Sequence, residues 1–463
     1  MKNFILNTDS YKTSHYLQYP KNTQYISSYV ESRGGEFKEC LFFGLQMFIK
    51  EYLTQPITQE NIDEAVEIYQ AHGVPFNKEG WQYILDKHQG FLPIKIESIA
   101  EGSIVPTKNV LVQVVNTDPN CAWLTCFVET ALLRAIWYPT TVATVSYHCK
   151  KIIEKYLFET AGHNQGIEFK LHDFGARGVS SLESAAIGGL AHLVNFQGTD
   201  TVAALMHGRK YYAESMAGFS IPASEHSTMT SWGKHREADA YENMLNQYGG
   251  EGKTLAVVSD SYDIWHAIEK IWGGQLKDKV IQHGGTLVVR PDSGDPVQVV
   301  SEVIEKLMSQ FGYTYNKVGF KVLPDYIRVI QGDGVSLATI EKILIEMKMR
   351  KLSAENIAFG MGAELLQKVN RDTLKFAMKA SAAQIEDQWI DVYKDPITDK
   401  GKKSKAGRLA LVNQKGEYKT VKKSSTKAQN NLLETVFLNG KLLKEITFKK
   451  IRQQQTICQL EAA

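Results

Sequence analysis

The chain has 463 residues, 43% of them hydrophobic and 22% charged, which suits a globular protein of two or three domains at roughly 150 residues each. A net charge of +2 supplies no field that would favour nucleic acid or a membrane surface. No run approaches the roughly 18 apolar residues of a membrane span. The opening MKNFILNTDSYKTSHY breaks its short apolar stretch with Asp9 and Lys12, unlike a secretory leader. The five cysteines, Cys40, Cys121, Cys126, Cys149 and Cys458, form neither a CxxC pair nor a zinc-finger spacing, which predicts reduced thiols in a cytoplasmic protein.

Residues 1–140 read as a mixed α+β lobe. QYISSYVES (24–32), LPIKIESIAEG and NVLVQVVNT (within 92–117) predict strands, while 39–53 and 61–73 predict helices. Residues 121–138 form a long apolar helical stretch whose apolar positions surround the axis, as for a helix buried between lobes. From about residue 168 a different rhythm begins. FKLHDFGARG (169–178), HLVNFQGTD (192–200), FSIPASEH (219–226), LAVVSDSYD (255–263), TLVVRPDSG (286–294), IRVIQGDG (327–334) and IAFGMG (357–362) are short apolar runs, most ending in charged residues and glycines, with helix-like stretches between them. Runs of this kind suit strands buried on both faces. Their alternation with helices implies a parallel sheet, so the polar ends converge on one side, as at the mouth of a (β/α) barrel. Ser180 with Glu183 reads as a capping box. Val335, Ile340, Ile343, Leu344 and Met347 read as the buried stripe of a helix. After residue 380 the chain turns lysine-rich, with Lys394, Lys400, Lys402, Lys403, Lys405 and Arg408 close together, before alternation returns in GRLALV and EYKTV. The expected organisation is an α/β protein: a barrel-like catalytic domain over 141–380 and a mixed lobe built from 1–140 and 381–463.

The polar ends carry the chemistry. The glycines of IRVIQGDG and IAFGMG follow the last two strands, where backbone N–H groups can hold a phosphate. Asp200, Asp260, Asp292 and Asp333 each follow a different strand. Each has a bland reading: Asp260 and Asp200 as helix caps, Asp292 as a turn residue. Four convergent acids with Arg177, Arg290 and His226 suit a ribose, a magnesium ion and a phosphate together. His226, preceded by Glu225, would be an acid, a base or a phosphate-accepting nucleophile among these carboxylates. Phe174 at the end of the first run is either core or a stacking platform for a planar ligand. Lys170 admits a Schiff-base reading, but it lies early in its strand, away from the mouth.

DSYKTSHY, HDFGARGVSS, NFQGTDT, PASEHST, VVSDSYDIW, RPDSGDP, VIQGDGV, AFGMG, the Arg371–Asp372 pair, and YKDPITD with GRL together resemble the nicotinamide phosphoribosyltransferases, in order and spacing, from about residue 5 to the C-terminus. The resemblance implies an irregular barrel of the type II phosphoribosyltransferase kind and a homodimer with shared sites. It implies condensation of nicotinamide with phosphoribosyl pyrophosphate in NAD salvage, with magnesium required and ATP as co-substrate acting through a phosphohistidine. Carried over, that histidine is His226, with Glu225, Asp260 and Asp292 in the same catalytic group and Asp292 facing magnesium. Phe174 and Tyr11 of the partner subunit would sandwich the pyridine, Asp200 would accept from the carboxamide, and Arg177 and Arg290 would hold phosphate and ribose. Gly332 and Asp333 would meet the ribose hydroxyls and Gly362 the 5′-phosphate. Arg371, Arg33, Lys379, Lys394 and Lys402 would line the phosphate and pyrophosphate side. The pattern departs at Ala176, where an aromatic is expected, and at Met361, Ala363 and Glu364, which replace a glycine run; Glu364 would add an anion beside the phosphate cradle. The readings weighed against this one are a nicotinate phosphoribosyltransferase, a sugar-phosphate lyase using Lys170, and a non-catalytic binding protein.

Overall fold

A computed structural model describes residues 3–399 and 402–462, with side chains described as far as residue 456. Lys400, counted in the lysine cluster, lies outside the described residues, and Cys458 outside the described side chains. The chain forms two compact units: Met1–Thr144 with Gly208–Glu214 and Asn370–Ala463, and Val145–His207 with Ser215–Val369.

The first unit is built on a seven-stranded antiparallel sheet in the order Gln388–Asp391, Phe376–Ile385, Thr23–Ser32, Val110–Asn116, Ile94–Ser98, Glu434–Leu438, Lys441–Leu442. Its core gathers Tyr29, Phe42, Trp81, Ile94, Val112, Leu124 and Phe437, all buried. The unit takes up the chain at Asn370, not at 381, because the ten-residue strand Phe376–Ile385 pairs along the whole of Thr23–Ser32. Two further predictions change here. Residues 39–53 are not one helix: Glu39–Leu41 pairs with Ile104–Pro106, and the helix begins only after Gly44, whose φ of +107° breaks the run. The apolar stretch beginning at 121 runs on into a helix, α1 (Glu129–Ala161), that continues past Pro139. Cys40, Cys121, Cys126 and Cys149 are free thiols, and no described helix is long and apolar enough to cross a membrane.

The second unit holds a six-stranded parallel sheet. Its strands are β1 (Leu171–Asp173), β2 (Gly198–Thr199), β3 (Thr254–Val258), β4 (Thr286–Arg290), β5 (Ile327–Gln331) and β6 (Ile357–Met361), in the order β2-β1-β6-β5-β4-β3. The segment 219–223 makes one parallel bridge to β2, through Phe219 and Gly198, and another to β3, through Ala223 and Ala256. Each of the seven apolar runs therefore contributes to one parallel array. Ala256, Val288 and Ile330 from β3, β4 and β5 form a buried cluster, against which Phe174, Ile221 and Ala358 pack. Six segments of the parallel array thus meet through one layer of side chains.

Helices punctuate the array: α2 (Leu182–His192), α3 (Val202–Tyr212), α4 (Glu237–Tyr248), α5 (Pro296–Phe311) and α6 (Leu337–Met349). The cap of α2 is Ser181, which accepts from Ser184 N–H, so the predicted Ser180–Glu183 box is shifted by one residue. The stripe of Val335, Ile340, Ile343, Leu344 and Met347 is buried.

Lys170 stands at the start of β1 and donates to the carbonyls of Ala354 (3.0 Å), Glu355 (3.0 Å) and Ile357 (2.9 Å). Burial, with Arg328 nearby, pushes its pKa down to about 7. The ammonium ties β1 to the entry of β6, at the end of the sheet opposite Phe174.

Candidate active site

The carboxyl ends of β1 to β6 carry the predicted acids, and the local structure decides which of them are helix caps. The helix after β3 is capped by Asp263, which accepts from the N–H groups of Trp265 and His266. Asp260 is thereby left free of capping. Its Oδ1 is 2.9 Å from His226 Nε2, and its Oδ2 accepts from the Asp292 N–H at 3.1 Å. Its side chain is only 4% exposed, against 44% for His226. A buried carboxylate that fixes one ring nitrogen leaves the other to act. That other nitrogen, Nδ1, lies 3.8 Å from Asp292 Oδ2. Glu225 is the N-cap of the short helix His226–Thr230, and its carboxylate takes the Ser227 hydroxyl, so its contacts are those of the turn that presents His226.

Arg290, the last residue of β4, grips Asp292 with two parallel bonds, Nε to Oδ1 at 3.1 Å and Nη2 to Oδ2 at 2.8 Å. Its guanidinium carbon sits 5.8 Å from the centre of the Phe174 ring. Gly332 closes the same cluster, since a Cβ there would lie 3.3 Å from Phe174 Cε2 and 3.4 Å from Arg290 Nε. Gly360 in β6 makes room for the ring itself: a Cβ would come within 1.9 Å of Phe174 Cε2. Phe174, Arg290, Asp292 and Gly332 thus form one contiguous group, which Asp260 and His226 join through Asp292.

Asp200 follows β2 and accepts from the Ser220 hydroxyl at 2.5 Å. Asp173, one residue before Phe174, is buried, and its carboxylate accepts from Gly175 N–H (2.7 Å) and the Thr199 hydroxyl (3.2 Å). Burial pushes its pKa up, and these hydrogen bonds pull it back. Burial also pushes the pKa of His172 down, against the pull of Asp200, and so favours a neutral ring. Ser220, Asp173 and His172 do not stand out in the sequence. A polar residue at the last position of a buried strand is the available signal for Asp173; Ser220 offers none. Among the described residues, Ser261 Oγ after β3 and Gln331 Oε1 at the end of β5 are buried and have no hydrogen-bond partner. Such atoms are costly unless a ligand or water completes them.

Arg177 and Asp333 are exposed in the loops after β1 and β5. Gly362 begins a single helical turn, Ala363–Leu366, and Glu364 is paired with Lys368 at 2.5 Å, which offsets the extra anion expected there. The remaining predicted residues belong to the first unit. Tyr11 is 59% exposed on the turn Ser10–Leu17, with its ring 5.0 Å from His15. Arg33 is 3.9 Å from Glu31, Lys379 lies opposite Tyr29 in the sheet, and Arg371 pairs with Asp372 at 3.2 Å. Lys394 and Lys402 are exposed, the latter 3.3 Å from Asp399. Among the described residues, the group that brings three metal-type donors within 4.8 Å is His88, Asp118 and Cys121 of the first unit, and it includes none of the acids of the mouth.

Comparison with known proteins matches residues 169–441 to the model of the nicotinate phosphoribosyltransferase (NAPRTase) family and residues 3–96 to the N-terminal domain of nicotinamide phosphoribosyltransferase. A nicotinamide phosphoribosyltransferase of Xanthomonas campestris pv. campestris is 51% identical over 459 residues, covering 98% of each chain, and one of Acinetobacter baylyi is 31% identical over 96% of this chain and 95% of its own. Among solved structures, nicotinate-nucleotide pyrophosphorylase from Pyrococcus furiosus has a TM-score of 0.63 at 15% identity over 99% of this chain and 96% of its own, and human nicotinic acid phosphoribosyltransferase 0.57 at 14% over 98% and 93%. These two likenesses support the fold, a mixed α/β architecture around a parallel sheet. Family models matching residues 3–96 and 169–441, together with full-length relatives, place the chain in the nicotinate phosphoribosyltransferase family, on its nicotinamide phosphoribosyltransferase branch.

Proposed function

We propose that this chain condenses nicotinamide with phosphoribosyl pyrophosphate, giving nicotinamide mononucleotide and pyrophosphate, as a step of NAD salvage in the cytoplasm. The observation that carries the reading is the pairing of an aromatic platform with an acceptor carboxylate: Phe174, held between Arg290 and Gly360, and Asp200 at the end of the sheet strand adjoining β1. A flat heterocycle bearing an amide fits such a pair. A carboxylate accepting from an amide N–H is worth roughly 1.5–3 kcal/mol, and it would repel the carboxylate of nicotinate.

The chemistry asks little more of the chain. The pyridine nitrogen is already nucleophilic, so no general base is needed. It forms a bond to the anomeric carbon as the bond to pyrophosphate breaks, through a cationic, oxocarbenium-like state. Catalysis then consists of orientation and charge placement. Phe174 and Tyr11 of the partner subunit would clamp the ring. Arg177 and Arg290 would hold phosphate and ribose, Gly332 and Asp333 the ribose hydroxyls, and Gly362 the 5′-phosphate. Arg33, Arg371, Lys379, Lys394 and Lys402 would offset the charge of the pyrophosphate. Asp292 already gives both oxygens to Arg290, which fits a contact shared with a magnesium ion carried on the substrate phosphates better than a closed protein cage. Bound there, magnesium would neutralise the leaving group.

His226 has the arrangement of a phosphoryl acceptor. With Asp260 holding Nε2, Nδ1 would take the γ-phosphoryl group of ATP while ADP departs, and hydrolysis of that phosphohistidine would drive the cycle. We read the second unit as an irregular type II phosphoribosyltransferase barrel, in which the segment 219–223 bridges the two edges of the six-stranded sheet. We read the functional particle as a homodimer. The test of the substrate assignment is a comparison of kcat/KM for nicotinamide and nicotinate. A preference for nicotinamide is expected, and a preference for nicotinate would reject the assignment.

A further inference from the structure

The segment 219–223 lies close against β2. Thr199 N–H donates to Phe219 O at 3.0 Å and Phe219 N–H to Gln197 O at 2.7 Å. Gly218 allows this approach, since a Cβ there would stand 2.8 Å from Leu193 and 3.0 Å from the Thr199 side chain. One residue beyond Phe219 and two beyond its bridge partner Gly198, Ser220 meets Asp200: the hydroxyl reaches Oδ1 at 2.5 Å, while its other acceptor, Ile221 O, is at 3.4 Å. The Asp200 backbone is itself held, its N–H donating to Asp173 O at 3.0 Å. Main chain and one carboxylate oxygen are therefore both restrained.

From this geometry we infer that Ser220 is a positioning residue that sets the choice of pyridine: by occupying Oδ1 it presents Oδ2 of Asp200 as the acceptor for a substrate carboxamide. The inference rests on the reading of Asp200 as the group that meets the substrate amide. A carboxamide brings an N–H donor to Oδ2. A carboxylate brings none, and it meets Asp200 with like charge. Without the hydroxyl the Asp200 carboxylate can turn about its own axis, and both oxygens compete for water and for the ligand. The contact with the amide is then made at the cost of restraining a free rotor, while repulsion of nicotinate is spread over more orientations.

The experiment measures kcat and KM for nicotinamide and for nicotinate with wild type, Ser220→Ala, Ser220→Thr and Asp200→Asn, with thermal melts to confirm folding. Ser220→Ala is expected to raise KM for nicotinamide by about tenfold, to leave kcat within about twofold, and to narrow the nicotinamide/nicotinate ratio. Ser220→Thr, which keeps the hydroxyl, is expected to restore the ratio. An unchanged ratio in Ser220→Ala, or equal losses with both pyridines, overturns the role of Ser220. If at the same time Asp200→Asn collapses the ratio, the assignment of Asp200 survives that result. A wild type that prefers nicotinate, or makes no nucleotide, overturns both.

Discussion

Asp200, Asp260 and Asp292 are three carboxylates at one mouth, and their partners assign them different roles. Asp292 is neutralised by a two-bond grip from Arg290. Asp260 is buried and spends its oxygens on His226 and on the backbone of Asp292. Asp200 gives Oδ1 to the hydroxyl of Ser220, and among the described residues its Oδ2 takes no hydrogen bond. From this follow two expectations about single side chains. His226→Ala should retain slow ATP-independent synthesis but lose ATP hydrolysis, and the acid-labile, base-stable label acquired from γ-labelled ATP should vanish; a label that persists would place the acceptor elsewhere. Gly360→Ala should drive the Phe174 ring from its seat, because no side chain tolerates a contact of 1.9 Å. Its KM for nicotinamide should rise by tenfold or more, on the order of a lost stacking contact plus displaced geometry. Steady-state kinetics on a variant with a cooperative melt would check this, and an unaltered KM would remove Phe174 from the pyridine slot.

Strands and helices show most clearly what is legible in the sequence. β3, β4, β5 and β6 are legible because each is a run of branched aliphatics closed by polar residues, the signature of a strand buried on both faces. The strand Phe376–Ile385 falls on the other side of the expected domain boundary. FAMKASAAQI carries alanine and serine where β-branched residues would signal a strand, and its place is set by pairing with Thr23–Ser32, a contact across some 350 positions of sequence. Ser180 and Ser181 are equivalent by sequence, and only the path of the chain selects the second as the cap. The same ambiguity hides Asp263, whose capping role frees Asp260. Asp263→Ala should cost about 1 kcal/mol, read as a lowered melting temperature, with phosphate labelling of His226 kept. Ser220 is illegible because its importance comes from one contact between segments that are not neighbours in sequence.

Lys170 gives the β1–β6 junction a pH signature. Its pKa falls from 10.5 in the unfolded chain to about 7 on folding, through burial first. Between about pH 7 and 10.5 the unfolded chain therefore binds the extra proton, so the contribution of Lys170 to stability rises with pH through that window as the buried charge is relieved. Lys170→Met should abolish this rise. Denaturation of both proteins at pH 7.5 and 9.5 checks it, and parallel pH profiles would contradict it. The three carbonyl contacts, made at the end of the sheet opposite Phe174, also leave no role for Lys170 as a Schiff-base nucleophile at the mouth.

For the whole molecule, the proposed homodimer makes a prediction about which chain supplies each side of a site. Tyr11 is exposed on the first unit, and the proposed reaction would have the partner subunit's Tyr11 face Phe174 across the pyridine. If two subunits share their sites, Tyr11→Ala and Phe174→Ala proteins should each be weakly active, and after unfolding and refolding together they should recover about one quarter of wild-type sites, since half of the randomly paired dimers are mixed and each holds one intact site. No recovery would mean that each site is built from a single chain. What the molecule makes is the most direct test of its activity. Purified protein given nicotinamide, phosphoribosyl pyrophosphate and magnesium, with and without ATP, should yield nicotinamide mononucleotide and pyrophosphate by mass spectrometry, faster with ATP. Absence of the mononucleotide under both conditions, with a folded protein and intact substrates, would contradict the assignment.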